Sequence, residues 1–369
     1  MSKATPSVPG APSGRSPVML SAVYRGPGDV GVEERPVPEP GPGEVLVEVA
    51  YCGICGSDLH IMIEGWGKPG TVGGHEYSGI VIAVGDGVVS WAPGDAVVCG
   101  PSPRCGECRR CREGKPSQCE RRSAPVDSNV GGAFAGYVIA DARSLLRVPD
   151  GMSPRVAALA EPLAVALHGI TRSGMVPGDS AMVFGAGPIG ALTIAALVAK
   201  DMGSVVVVEP GERRRRLAAE LGAVQVLAPS DLETYPPWEP ERQSPHAVDV
   251  VFECSGKKAA MECGFYQLRR GGHLVLVGAG MEAPRFDPNR LILNELQVSG
   301  SFVYDADGFE RALELLASGR LPVDVLIDPD DVTLGALGET MEALADGRIA
   351  GKVMVVPGAG GPGHRQEGG

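Results

Sequence analysis

Hydrophobic and polar positions follow two different rhythms along this chain. Through about residue 150, apolar residues come in short β-branched runs broken by Gly and Pro. Glu44-Val-Leu-Val-Glu-Val-Ala50 and Gly79-Ile-Val-Ile-Ala-Val-Gly85 read as strands. Pro93-Gly-Asp95 is a turn that leads into a third strand, Ala96-Val-Val98. This half predicts an irregular β-barrel with few helices. The texture changes after Glu161. Pro162 stands where a first helical position belongs, and Leu163-Ala-Val-Ala-Leu-His-Gly-Ile170 continues as helix. Strands and helices then alternate. Ser180–Phe184, Ser204–Glu209, Val248–Glu253 and His273–Val277 are the strands; Ile189–Lys200 and Glu212–Leu221 are helices between them. Continuous apolar strands with intervening helices predict a parallel, doubly wound sheet. Gly308–Ser318 reads as an amphipathic helix and Gly351–Val356 as a closing strand. Residues 229–246, rich in Pro, Glu and Ser, read as a surface loop.

Composition narrows the picture. At roughly 150 residues per domain, 369 residues predict two domains. The chain is 44% hydrophobic and 21% charged, so wholesale disorder is excluded. A net charge of −12 argues against nonspecific nucleic-acid binding and against an anionic membrane surface. No apolar run reaches the ~18–20 residues of a membrane span. Segment 1–17, rich in Pro, Gly and Ser, lacks the apolar stretch of a secretory signal and reads as a disordered extension. Segment 358–369 reads likewise as a disordered tail. Nine cysteines are an odd number at the wrong spacing for a small disulfide scaffold, and a reducing cytoplasm fits them best.

Val183-Phe-Gly185-Ala-Gly187-Pro188-Ile189-Gly190 is a GxGxxG turn between a strand and a helix. The first glycine permits the turn, the second lets a pyrophosphate approach the backbone, and the third lets helix and strand pack closely. The helix N-terminus offers unpaired N–H groups to phosphate. Glu209, at the end of the next strand, is placed to bind adenosine ribose hydroxyls and to repel a 2′-phosphate. Against it stands the run Arg213-Arg-Arg-Arg216, of which Arg214 is the one expected to turn back toward the ribose. The expected cofactor is NAD, with NADP as the alternative.

Cys105, Cys108, Cys111 and Cys119 lie within fifteen residues. Four thiolates in one lobe suit a closed, tetrahedral zinc site with a structural role. An iron–sulfur cluster fits less well, because the fourth Cys is further off and no Pro follows it. A zinc-ribbon nucleic-acid reader is the other reading of this segment. A second constellation joins Cys52-Gly-Ile-Cys55-Gly-Ser57-Asp58-Leu-His60 with Gly74-His75-Glu76 and the later Glu161. CxxC alone could be redox-active, but the added His and carboxylates suit a mixed-ligand zinc with one open position, the catalytic pattern.

With these motifs together, the chain resembles the zinc-dependent medium-chain dehydrogenase/reductases, especially the branch with sorbitol, butanediol and threonine dehydrogenases. The likeness covers roughly residues 18–357 and rests on the Cys55–His60 element, Gly74-His-Glu-Tyr-Ser-Gly79, the four-Cys lobe, Glu161-Pro-Leu-Ala-Val-Ala-Leu-His168 and the glycine turn. It implies an α/β fold: a Rossmann doubly wound domain (163–305) and a GroES-like catalytic domain (18–162, completed by 306–357).

The resemblance further implies two zinc ions per chain. Catalytic zinc falls to Cys55, His75 and Glu161, with Glu76 a nearby carboxylate that enters the shell when water leaves. Asp58 matches a partner orienting His75. Ser57 and His60 match a proton relay serving hydride transfer between an alcohol carbon and the nicotinamide. Val277 joins the cofactor-binding set, and Trp66 is a candidate wall of the substrate pocket. Cys52 reads as a buried structural Cys and His168 as a core or interface His. His246, His273 and His364 carry no signal. The expected activity is reversible oxidation of a secondary alcohol or polyol by a homo-dimer or homo-tetramer. The alternative is an NADP(H)-linked aldehyde or ketone reductase of the same family. An enoyl reductase of this fold lacks the zinc ligands that Cys55, His75 and Glu161 supply.

Overall fold

A computed structural model of the chain describes residues 17–100, 104–121, 131–233 and 239–358. The expected N-terminal extension and C-terminal tail lie outside the described residues, apart from Pro17 and Gly358.

The first half holds strands β1 (Val18–Gly26), β2 (Asp29–Pro36), β3 (Glu44–Gly53), β4 (Glu76–Val84), β5 (Ala96–Val98), β6 (Tyr137–Asp141) and β7 (Leu146–Arg147). Its helices are short: α1 (Gly56–Met62), α2 (Arg109–Arg112) and α3 (Pro154–Ala157). Helix α4 (Ala160–Ser173) leads into the second half. There follow β8 (Ala181–Phe184), α5 (Pro188–Ala199), β9 (Val205–Val208), α6 (Glu212–Glu220), β10 (Gln225–Leu227), β11 (Val248–Glu253), α7 (Lys258–Tyr266), β12 (Leu268–Leu276), α8 (Pro288–Leu293) and β13 (Gln297–Gly300). The chain returns through α9 (Gly308–Ala317), α10 (Val323–Leu326), α11 (Leu337–Ala345) and β14 (Met354–Val355).

Strand β3 organises the first half. It pairs with β4 along one edge, while its other edge takes β6 at the start and β14 at the end, all antiparallel. The second half is a fully parallel sheet in the order β10-β9-β8-β11-β12-β13. That order reverses between β8 and β11, which opens a crevice at the carboxyl ends of those strands. Alternation along β8 explains the layering. Ala181 and Val183 face a core shared with the first half, and Met182 and Phe184 face a smaller cluster on the far side.

Two boundaries depart from the sequence expectation. Helix α4 begins at Ala160, so Pro162 is its third residue rather than its first. A third-position N–H has no partner within a helix, so Pro is tolerated there as well. The closing strand is two residues long instead of six, and Lys352 before it makes only an isolated bridge to Ile327. In the expected surface loop, residues 234–238 lie outside the described ones; the rest is tied down by buried Arg290, which donates to Pro240 O and Arg242 O.

Candidate metal and cofactor site

Cys55 caps α1 and Asp58 lies in the helix's first turn. The buried Asp58 carboxylate reaches back to accept from Cys55 N–H at 2.9 Å and from Gly74 N–H at 3.3 Å. One side chain thus fixes two chain segments that carry metal-ligand types. Asp58 Oδ1 lies 3.8 Å from His75 Nδ1, close enough for charge attraction and too far for a hydrogen bond. Gly74 has φ +91°, and a Cβ there would stand 2.8 Å from Phe134 N, so only glycine lets the chain deliver His75. Donor atoms of Cys55, His75 and Glu76 all lie within 4.8 Å of one another.

Glu161, second residue of α4, is buried beside this trio but outside its tight grouping. Burial pushes its carboxyl up to about 7; His75 opposes the rise and Glu76 adds to it. A cation at the trio would hold this group ionised. Sequence reasoning missed Lys352. Its ammonium is fully buried and donates to both Glu76 oxygens, at 2.8 and 2.6 Å, and to Ile54 O at 2.9 Å. Glu76 therefore stands between a lysine and the Cys55–His75 pair.

Ser57 is exposed on the first turn of α1. His60 follows one turn later, with Nδ1 2.8 Å from Glu64 Oε2. Trp66 is half-exposed, and its ring stacks on His60 with centroids 4.7 Å apart. Cys52 is fully buried, and burial pushes its thiol well up, as expected of a structural cysteine.

The four sulfurs of Cys105, Cys108, Cys111 and Cys119 also lie within 4.8 Å of one another. The separations Cys105–Cys111 and Cys105–Cys119 are 3.9 and 3.6 Å. A tetrahedron with bonds of about 2.3 Å has edges of about 3.8 Å, so this lobe fits zinc. Backbone N–H groups of Glu120 and Cys111 lower the Cys108 thiol to about 6, while burial and its neighbouring thiols push Cys111 up to about 12, so the lobe holds its four sulfurs unequally.

In the second half, Gly187 caps α5 and Pro188 is its first residue. No side chain caps that helix, and a Cβ on Gly187 would meet nothing within 4 Å, so the turn leaves room at the helix start for a ligand group. Ile189 follows in the first turn. A Cβ on Gly190 would lie 1.9 Å from Gly185 O, so the helix can sit on the turn only with glycine there. Glu209 is buried just past β9; its carboxylate accepts from Ala186 N–H at 2.8 Å and Gly211 N–H at 2.7 Å. This ties the strand end to the glycine turn. Val277 lies just past β12, its N–H on Glu253 O.

The arginine run corrects one expectation. Arg214 donates to Leu344 O, within α11, at 2.9 Å rather than to the strand end at Glu209. Arg213 likewise donates to Arg348 O. Arg215 is the residue at the strand end, donating to Glu209 O at 3.0 Å. Helical spacing explains the exchange: neighbours point about 100° apart, so only one of adjacent residues can face back along the helix.

A cavity of about 580 Å³ lined by Ser21, Arg35, Val72 and Tyr137 contains none of these groups. The chemistry, rather than the volume, marks the site.

Known proteins match the chain along most of its length. The family model described as "Alcohol dehydrogenase GroES-like domain" matches residues 41–150, and "Zinc-binding dehydrogenase" matches residues 188–318. The chain is 37% identical to 2-dehydro-3-deoxy-L-galactonate 5-dehydrogenase of Pseudoalteromonas atlantica, over 84% of this chain and 90% of that one. It is 32% identical to sorbitol dehydrogenase of Bacillus subtilis, over 92% and 97%. Among solved structures, a zinc-binding dehydrogenase from Sinorhizobium meliloti bound to NADP superposes with a TM-score of 0.80 at 31% identity, over 93% of this chain and all of that one.

Proposed function

The chain belongs to the zinc-dependent medium-chain dehydrogenase family, and from that membership we propose that it oxidises a secondary alcohol or polyol to the ketone with NAD⁺, reversibly. The observation that carries this reading is that one chain brings Cys55, His75 and Glu76 together and also opens α5 with a glycine turn suited to a dinucleotide. The working parts are a catalytic domain (18–162 with 306–357) and a Rossmann domain (163–305).

Zinc held by Cys55, His75 and the acidic pair Glu76 and Glu161 would supply Lewis acidity, and the bound nicotinamide a hydride acceptor. Cys105, Cys108, Cys111 and Cys119 would hold a second, structural zinc. Asp58 keeps Cys55 and His75 in register. Ser57 offers a hydroxyl through which the alcohol proton leaves. His60 takes that proton on Nε2, since Glu64 accepts from its Nδ1–H and so selects the tautomer. Trp66, stacked on His60, limits the imidazole's freedom to swing. The residues for the dinucleotide are Gly185, Gly187, Pro188, Ile189, Gly190, Glu209 and Val277, with Arg215 in place of Arg214.

NAD is favoured over NADP because Glu209 presents a carboxylate where a 2′-phosphate would lie, and Arg213 and Arg214 are already engaged by carbonyls. The NADP(H)-linked reductase reading is not favoured. β13 is the last strand of its sheet, with Ile292 and Leu293 exposed on the preceding helix, which supports a homo-dimer or homo-tetramer joined along that edge. No described helix is long and apolar enough to cross a membrane, and cysteines held as zinc ligands or buried thiols rather than disulfides suit a cytoplasmic location.

The deciding experiment is a panel of primary alcohols, secondary alcohols and polyols with NAD⁺ and NADP⁺, alongside metal analysis. Two zinc ions per chain, turnover of secondary alcohols, and at least a tenfold preference for NAD⁺ in kcat/KM are expected. Preference for NADP⁺ would mean that Arg215 outweighs Glu209; activity in a zinc-free protein would overturn the reading.

A further inference from the structure

After β13 the chain crosses to α9 through residues 301–307. This crossover is pinned at both ends. At its start, Ser301 N–H donates to Leu276 O at 2.9 Å, against the carboxyl end of β12. Near its end, Asp305 accepts from Nδ1 of the buried His168 on α4 at 2.8 Å. Arg311 of α9 contacts the other Asp305 oxygen at 3.3 Å and reaches Thr171 of α4 at 3.4 Å. Between the pins, Val303 has φ +52°. A β-branched residue takes that left-handed conformation only where its surroundings impose it.

The crossover lies where the parallel sheet presents its ligand-binding edge. Glu209 and the glycine turn occupy the carboxyl ends of β9 and β8. The far half of an extended dinucleotide then falls across the strand-order reversal, at the ends of β12 and β13. There Phe302 presents a ring that is 49% exposed. Helix α4 packs closely underneath: a Cβ on Gly169, the residue after His168, would lie 3.3 Å from Val277 Cγ2 and 3.9 Å from Ser301 Oγ.

We propose that His168 is a positioning residue for the nicotinamide end of the cofactor: through Asp305 it holds Ser301–Val303 in the shape that walls that half of the site. The proposal rests on the dinucleotide reading above and deepens it. His168 itself touches no cofactor. It acts from the helix that also carries Glu161, two turns earlier, so the wall and the metal side share one rigid support.

The test uses two probes on the zinc-loaded enzyme. NADH carries the nicotinamide; ADP-ribose has the same adenosine and pyrophosphate without it. Dissociation constants are measured by calorimetry for wild type, His168→Leu, His168→Asn and Asp305→Ala. His168→Leu and Asp305→Ala should weaken NADH at least tenfold and leave ADP-ribose within twofold. His168→Asn keeps an N–H near the position of Nδ1 and should recover most of the loss. Asp305 is partly exposed, so Asp305→Ala carries the test if His168→Leu does not fold. The proposal is overturned if NADH affinity stays within twofold of wild type, if both probes weaken together, or if Asn is no better than Leu. A wild type that binds neither probe overturns the dinucleotide reading instead.

Discussion

Lys352 and Glu76 are shut off from water together, with side chains 2% and 0% exposed. Removing one partner of such a pair leaves the other charged in a medium that cannot solvate it, a loss of about 3–5 kcal/mol. Lys352→Met should therefore destabilise by that order in urea denaturation, and Lys352→Met with Glu76→Gln should recover most of it. Equal instability of the single and double variants would show that the lysine's stem, not its charge, matters. This pair was invisible in the sequence because 276 residues separate its members and no local pattern marks them. The same limit hid the His168–Asp305 bond, which spans 137 residues. What could be read was chemistry carried by spacing: the four-Cys run, the glycine turn, and the Cys55 and His75 motifs. The expectation for Arg214 did not foresee its bond to Leu344 O, because residue type alone does not say which way a helical side chain points.

Among the elements, the lobe around α2 has little apolar content of its own, and its arginines at 109, 110 and 112 are partly or largely exposed. Its shape depends on the four sulfurs. Cys108→Ala should lower zinc from two ions to one per chain and expose residues 104–121 to protease, while the melting of the rest shifts little. Mass spectrometry of the digest and metal analysis check both halves. Helix α4 gives a pH-dependent case. Its His168, helped by Arg311, holds the Asp305 carboxyl below its usual range. A lowered carboxyl stabilises the fold above the unfolded value of about 3.9 and loses that advantage as pH falls through the folded value. A charge-assisted hydrogen bond here is worth about 1–2 kcal/mol. Wild type should exceed Asp305→Asn by that much at pH 6, and the gap should shrink as pH falls below the unfolded value of about 3.9, as read from denaturation midpoints. A gap that is independent of pH would remove the charge from the argument.

At the scale of the molecule, the alternation of apolar strands and helices was enough to predict the parallel sheet, because each βα unit leaves a local signature. The architecture of the first half was less legible. Strand β3 takes partners from residues 76–84, 137–141 and 354–355, and only tertiary register decides that. The parallel sheet ends at β13, and Ile292 and Leu293 stand 69% and 52% exposed beside it. If copies join along this edge, Ile292→Asp with Leu293→Asp should reduce the sedimenting mass to that of one chain, with zinc content unchanged. An unaltered mass would place the interface elsewhere.

The lysine before β14 also sets a timetable. Chains leave the ribosome N-terminus first, at about 5–20 residues per second, and domains fold in that order. Strands β3 and β4 emerge early, yet the cation for Glu76 arrives 276 residues after it and the last partner of β3 about 300 residues after its end. Until then the nascent β-rich half carries a buried acid with no counterion and an open strand edge. The Rossmann half, whose strands all come from one stretch, is complete by Gly300. The half made first should thus be the half finished last, so ribosome-stalled chains ending before Lys352 should protect the parallel sheet from protease and leave the metal-binding half open.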